Sequence, residues 1–355
     1  MTPRRRLLAL AGVALLAAYV ANVATGAPST VAPSFADLPD PVPRIAIAYD
    51  VGGRSAGYNE LAWQGAQRAG DTFDAEYKEL TAKPDDTDAD REERLKVLAA
   101  GGYHPIFAIG STYAGALAKV APKYPRTWFG ILDDGSVNAP NVVGMLFNDE
   151  EGAFLVGAAA ALTSKSGNVG FVGAARIPLV QTFEAGFTSG ARAADPDIKV
   201  QVAYLAQPPD AGVSDSANAR MAALKMYDAG ADVIFAAGED SGDGVIQAAH
   251  ERGHWAIGVD SDRYLTADPS VRGAILTSML KQADVATYTI VMEVAQGVAK
   301  DGNNVFGVGL GGVGYATSGG FVDPIKPQLD AFAAKIAAGE ILVPTKPTAD
   351  PKAVP

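Results

Sequence analysis

Short apolar runs alternate along this chain with longer stretches whose apolar residues recur at helical spacing. The first run after Arg44 is IAIAYD (45–50), which predicts a compact strand closed by a carboxylate. Behind the glycine-rich VGGRSAG, Leu61, Ala62, Ala66 and Ala69 predict a helix over 58–70. PIFAIG (105–110), RTWFGIL (126–132) and NVVGMLF (141–147) read as further strands, with a helix-compatible segment over 112–120. The charged turn KPDDTDAD (83–90) leads into a surface helix, REERLKVLAAG. An alanine-rich helix over 150–162 introduces a second series, with strands at 168–173, 198–205, 231–238 and 254–260. Helical segments over 178–194, 214–230 and 241–253 separate them. ILTSMLK (275–281) and a helix over 284–299 then read as a return to the first series.

Mostly apolar strands with helices between them imply parallel sheets covered on both faces. Two such series in 355 residues imply two lobes of ordinary domain size. In open α/β sheets a ligand sits beyond the carboxyl ends of the strands. Asp50, Gly110, Gly173, Gly238 and Asp260 occupy such ends. The expectation is a solute site in a cleft where the strand ends of the two lobes face each other.

Charge and motif content narrow the chemistry. The formal net charge of -11, with no Lys/Arg cluster beyond the first six residues, argues against nucleic acid as a partner. The chain has no cysteine, which removes disulfides, thiolate nucleophiles, thiolate metal sites and a cysteine-linked lipid. His250 and His254 in HERGH stand i,i+4, but Gly253 between them is a helix-ending residue, so no metal site is expected. EDSGDG (239–244) lacks the spacing and terminal glutamate of a calcium loop and reads as a helix start. No GxGxxG opens a helix behind a strand and GxxxxGK[ST] does not occur, so no dinucleotide or P-loop cofactor and no enzymatic activity are expected. Asp50 and Asp260 are compatible with glycoside chemistry, and equally with accepting hydrogen bonds from sugar hydroxyls.

Residues 1–27 carry three arginines, an apolar run from Leu7 to Ala21 and then small residues, the layout of an export signal. Cleavage after Ala27 or Ala24 and retention as an N-terminal membrane anchor are both open on this pattern. Residues 28–43, rich in Pro, Ser and Ala, read as a flexible linker. The expected location is outside the cytoplasm: the outer face of the plasma membrane, the periplasm or the medium.

Four segments together resemble the basic-membrane-protein family of bacterial solute-binding proteins, the purine-nucleoside-binding components of ABC importers. They are YDVGGRSAGYNELAWQGAQRA (49–69), VGFVGAARIPLVQTFEAGFTSGARAADPDIKV (169–200), ADVIFAAGEDSGDGVIQAAHERGHWAIGVDSD (231–262) and ILTSMLKQADVATY (275–288). The resemblance spans 44 to about 343 and implies an α/β, two-lobed, type I periplasmic-binding-protein-like fold with discontinuous lobes. The first lobe is expected over 44–148 plus 261–300, the second over 149–260 plus 301–343, and a tail over 344–355.

By the same resemblance, Asp50, Asn59 and Tyr58 would meet the ligand from the first lobe, with Phe183 as the facing aromatic. Asp260 would accept ribose hydroxyls beside Lys281, and Gly238 would allow close backbone approach. Two departures stand out. Gly115 occupies a position where relatives carry an acid that reads the base edge, with Tyr113 or Ser111 as partial substitutes. Glu239 and Asp240 replace small or hydroxyl residues. The implied partners are a nucleoside-like solute and an ABC permease, for a monomeric protein. A sensory binding protein, or a sugar or small aromatic solute in the same place, are the alternatives.

Overall fold

The computed structural model describes residues 34–37, 42–54, 57–207, 215–238 and 241–347. The expected export segment, most of the linker, Glu239, Asp240 and the last eight residues lie outside them. Association with a membrane through an N-terminal helix is corrected: among the described residues no helix is long and apolar enough to cross a membrane.

The chain divides into two compact units. The first comprises Met1–Val51, Ala66–Gly144 and Thr287–Asn303, and the second Gly52–Gly65, Met145–Ala286 and Asn304–Pro355. One six-stranded sheet is built from β1 (Arg44–Tyr49), β2 (Glu76–Thr81), β3 (Ile106–Ile109), β4 (Phe129–Leu132), β5 (Val142–Phe147) and β11 (Gly302–Phe306). Its order is β11-β5-β4-β3-β1-β2, with β2, β3 and β4 reached through parallel pairings from β1. The helices of this series are α1 (Tyr58–Gly70), α2 (Asp88–Ala100) and α3 (Ala114–Val120). α2 starts on a capping box in which Thr87 and Asp90 satisfy each other's backbone N–H groups.

The other sheet contains β6 (Asn168–Ala175), β7 (Lys199–Ala206), β8 (Val233–Ala237), β9 (Trp255–Gly258), β10 (Ile275–Lys281) and β12 (Val313–Tyr315). Its order is β12-β10-β9-β8-β6-β7, parallel except for the β10–β12 pair. α4 (Asp149–Thr163), α5 (Pro178–Ala194), α6 (Ser216–Asp228), α7 (Gly242–Arg252), α8 (Arg263–Thr266), α9 (Ala283–Gln296) and α10 (Lys326–Ala337) complete the chain. β3, β4, β6 and β8 are buried at every position, which is why they read as unbroken apolar runs. β2 is an edge strand of sequence EYKELT with mostly exposed or half-buried side chains, so it carries no such signal.

The expected boundaries differ from these units in two main respects, the first being that Gly52–Gly65, expected in the first lobe, belongs to the second unit. Residues 261–300 were assigned to the first lobe, but β10 pairs with β9, Ser278 opposite Gly258, inside the second sheet. The change of unit falls within α9, between Ala286 and Thr287. The apolar pattern of β10 suits a central position in either sheet, and only its long-range partners decide which.

In the second unit α4 and α5 pack with little between their backbones. A β-carbon on Gly190 would collide with the Phe154 carbonyl, and one on Gly157 with that of Phe187. The contact therefore depends on the missing side chains. Gly190→Ala is expected to lower the free energy of unfolding by about 3 kcal/mol through overpacking, read as a fall in the urea midpoint; an unchanged midpoint would contradict this packing.

Candidate functional site

Each sheet has one place where the chain leaves in opposite directions from neighbouring strands. In the first it lies between β1 and β3, and in the second between β6 and β8. Crevices beyond the carboxyl ends at such points are where α/β sheets take ligands.

In the first unit Asp50 follows β1 at this point and is half-buried. The Val51 N–H donates to its Oδ1 at 2.8 Å, and Thr112 Oγ1 donates to its Oδ2 at 2.9 Å. Gly110, at the end of β3, has φ +97°, a conformation that only glycine adopts without strain, and a β-carbon there would stand 3.4 Å from Asp50 Oδ2. Both carboxylate oxygens are thus oriented by the chain itself.

Tyr113, expected as a ligand contact, is fully buried. Its hydroxyl donates to the Tyr49 carbonyl at 2.9 Å and accepts from Arg94 Nη1 at 3.1 Å. Burial pushes the phenol above its ordinary pKa, with Arg94 opposing. Arg94 in turn pairs with Asp86, both side chains being nearly inaccessible. The Lys83 N–H and Arg94 hold the Asp86 carboxyl below the usual carboxylate range. At Gly115 a side chain would meet Asp88, whose Oδ2 lies 3.7 Å from where the β-carbon would stand.

In the second unit Tyr58 opens α1 and meets the edge of Phe147 at a centroid distance of 6.3 Å. The Lys281 ammonium lies 5.3 Å from the centre of the Tyr58 ring and 5.1 Å from that of Phe147. It also stands 3.5 Å from Asp149 Oδ1, and both of these charged side chains are over nine-tenths buried. A buried ammonium is tolerable when a carboxylate and aromatic faces surround it. The Lys281 N–H donates to the Asp260 carbonyl at 3.0 Å, so the ends of β9 and β10 are joined beside this cluster. Asp260 has φ 65°, and the Ser261 N–H donates to the Val259 carbonyl at 2.8 Å across it, a tight three-residue turn.

The remaining expected residues have structural tasks. The Asn59 side-chain amide donates to the Gly53 carbonyl at 2.8 Å and braces the loop before α1. Phe183 is 6% exposed and packs edge-on against Phe235, 6.3 Å between centroids, within an aromatic group that includes Phe171 and Phe187. A β-carbon at Gly238 would stand 2.9 Å from that of Ala174, so the glycine lets the ends of β8 and β6 come together. Gly253 ends α7 in the left-handed conformation, and His254 stacks on Tyr227 at 5.0 Å.

Sequence reasoning missed Thr112, Arg94, Phe147 and Asp149. Phe147 is the last residue of β5 and Asp149 stands just past its carboxyl end, the same signal that singled out Asp50. A cleft of about 410 Å³ in the first unit, lined by Arg44, His104, Tyr124 and Arg126 among others, opens toward the amino ends of β1, β3 and β4. It lies at the wrong end of the strands for the usual α/β ligand site.

A family profile described as "ABC transporter substrate-binding protein PnrA-like" matches residues 43–347. The CD4+ T-cell-stimulating antigen of Listeria innocua is 31% identical over 97% of this chain and all of its own length. The ABC transporter nucleoside-binding protein BmpA of Lactococcus lactis subsp. cremoris is 28% identical over 96% of this chain and 97% of its own. Among solved structures, a solute-binding protein of an ABC transporter system from Conexibacter woesei has a TM-score of 0.72 at 22% identity, covering 86% of this chain and 99% of that one. That last likeness is one of fold: a two-lobed α/β periplasmic-binding-protein architecture with mostly parallel sheets flanked by helices.

The ion pair at the end of β10 has a measurable consequence. Asp149→Asn removes a carboxylate beside a buried ammonium and is expected to cost about 3 kcal/mol of stability. Adding Lys281→Met should restore most of it, since an apolar chain of similar volume needs no counter-charge. Chemical denaturation of both variants checks this; equal stability of Asp149→Asn and the parent would remove the pair from the account.

Proposed function

The chain belongs to the PnrA-like family of ABC transporter substrate-binding proteins, and on that premise we propose that its solute is a nucleoside, purine nucleosides first. It is an extracytoplasmic solute-binding protein of an ABC importer and not an enzyme; the nucleoside, and delivery to a permease, are the proposal. The proposed contacts are Asp50, Tyr58, Asp260 and Lys281.

The observation that carries the reading is the cluster at the ends of β9 and β10, where Tyr58, Lys281 and Asp260 stand together. An aromatic face takes the base, and a carboxylate accepts from vicinal hydroxyls. Lys281 already has Asp149 as a counter-charge, so its ammonium can donate to a neutral solute without becoming an unbalanced buried cation. Two acceptor-only carboxylates and a net charge of -11 disfavour phosphorylated solutes and favour neutral, hydroxyl-rich ones. The Lactococcus relative, a nucleoside-binding protein of an ABC transporter, supports the nucleoside over other such solutes.

A sugar is the second reading. It is favoured by Phe183, whose ring is committed to the aromatic core and so leaves Tyr58 as the one aromatic platform among the expected contacts. The two readings separate by calorimetry with adenosine, guanosine, inosine, cytidine, uridine and free ribose. Purine nucleosides are expected to bind, and Tyr58→Ala to weaken them by about 1–3 kcal/mol, the worth of one stacked base. Silence from all five nucleosides at millimolar concentration would sink the nucleoside reading, and an unaltered affinity in Tyr58→Ala would remove the stacking from it.

A further inference from the structure

Tyr113 combines features that a solute contact would not have. Its ring is fully buried, its single hydroxyl proton is given to the Tyr49 carbonyl, and the hydroxyl oxygen accepts from Arg94. Tyr49 is the last residue of β1 and precedes Asp50. Its carbonyl also accepts from the Ala82 N–H at 3.0 Å, and its own hydroxyl donates to Glu79 Oε2 at 2.8 Å. On the other side of Tyr113, the preceding residue Thr112 donates to Asp50 Oδ2.

We infer that Tyr113, held by Arg94, is a positioning residue for the Asp50 carboxylate. It fixes that group twice, through the Tyr49 peptide and through Thr112. The anchorage extends to the turn after β2, because Arg94 pairs with Asp86. Asp86 Oδ2 accepts from the Lys83 N–H at 2.9 Å, and the Asp86 carbonyl accepts from Arg91 Nη1 at 3.1 Å. A chain of satisfied polar groups therefore runs from the turn at 83–87, through α2, to the end of β1. Such a network specifies geometry because Tyr113, Arg94 and Asp86 each hold a partner on either side, and none can rotate without leaving another unmade. The inference rests on the proposed role of Asp50 as a solute contact and adds to it a group that acts through Asp50 without touching solute.

Tyr113→Phe keeps the ring and deletes the hydroxyl. Titrated calorimetrically with adenosine, the full-length variant is expected to lose roughly three- to tenfold in affinity, the worth of one net hydrogen bond. In an Asp50→Asn background the same change is expected to alter affinity by less than about twofold, since the group it positions is gone. Equal losses in both backgrounds would overturn the inference. The ligand-free protein gives a second readout by hydrogen exchange. The Val51 amide, which donates to Asp50 Oδ1, should exchange faster in Tyr113→Phe while the Phe107 amide of β3 keeps its rate. An unchanged Val51 rate would equally overturn the inference. Should the parent protein ignore adenosine, or Asp50→Asn bind too weakly to titrate, the exchange rates decide the positioning role by themselves; the first of those results counts against the nucleoside reading alone.

Discussion

A strand buried on both faces has nowhere to put a charge except at its end, and this one constraint arranges the polar chemistry of both units. The central strands β3, β4, β6 and β8 carry no charged side chain along their length. Carboxylates and the one deeply buried lysine among the expected contacts accordingly stand where strands stop: Asp50 after β1, Asp149 after β5, Asp260 after β9 and Lys281 as the last residue of β10. The glycines and the left-handed turn at these ends are consequences of the same crowding, because chain must leave the sheet where side chains are also required to gather.

The same constraint decided what could be read from sequence. Central strands and amphipathic helices were legible, and the helix over 178–194 and the strand over 275–281 have the expected limits. Edge strands were not: EYKELT in β2 and GNNVF in β11 carry exposed polar residues because one side of each strand has no neighbour. Nor does a local pattern say which of two similar sheets a strand joins, which is why β10 was assigned to the other lobe. Strand-end residues were legible as candidates, but the direction of their side chains was not. Tyr113 turns inward to hold a backbone carbonyl and Phe183 turns into an aromatic core, choices made by partners far away in sequence, while Asn59 turns back on the nearby Gly53 carbonyl.

Charge balance within the second unit is a separate matter from the net charge of the chain. The ammonium of Lys281 has its carboxylate in Asp149 and aromatic faces in Tyr58 and Phe147, so its positive charge is neutralised inside the protein. A solute site at this cluster, as proposed, would discriminate against a second full charge arriving with the solute, whichever its sign, because that charge would have to give up water without gaining a partner. Neutral solutes rich in hydroxyl donors meet no such barrier.

The turn at Asp260 places an acidic residue in a backbone conformation where glycine would rest more easily. Holding it there costs the folded state something on the order of 1 kcal/mol or more. A protein selected for thermal endurance alone would drift toward glycine at this position and shed the carboxylate with the strain. On the proposed role of Asp260 as a solute contact, this aspartate exchanges durability for recognition, and it tells an engineer seeking a hardier version of this protein which stabilising change to refuse.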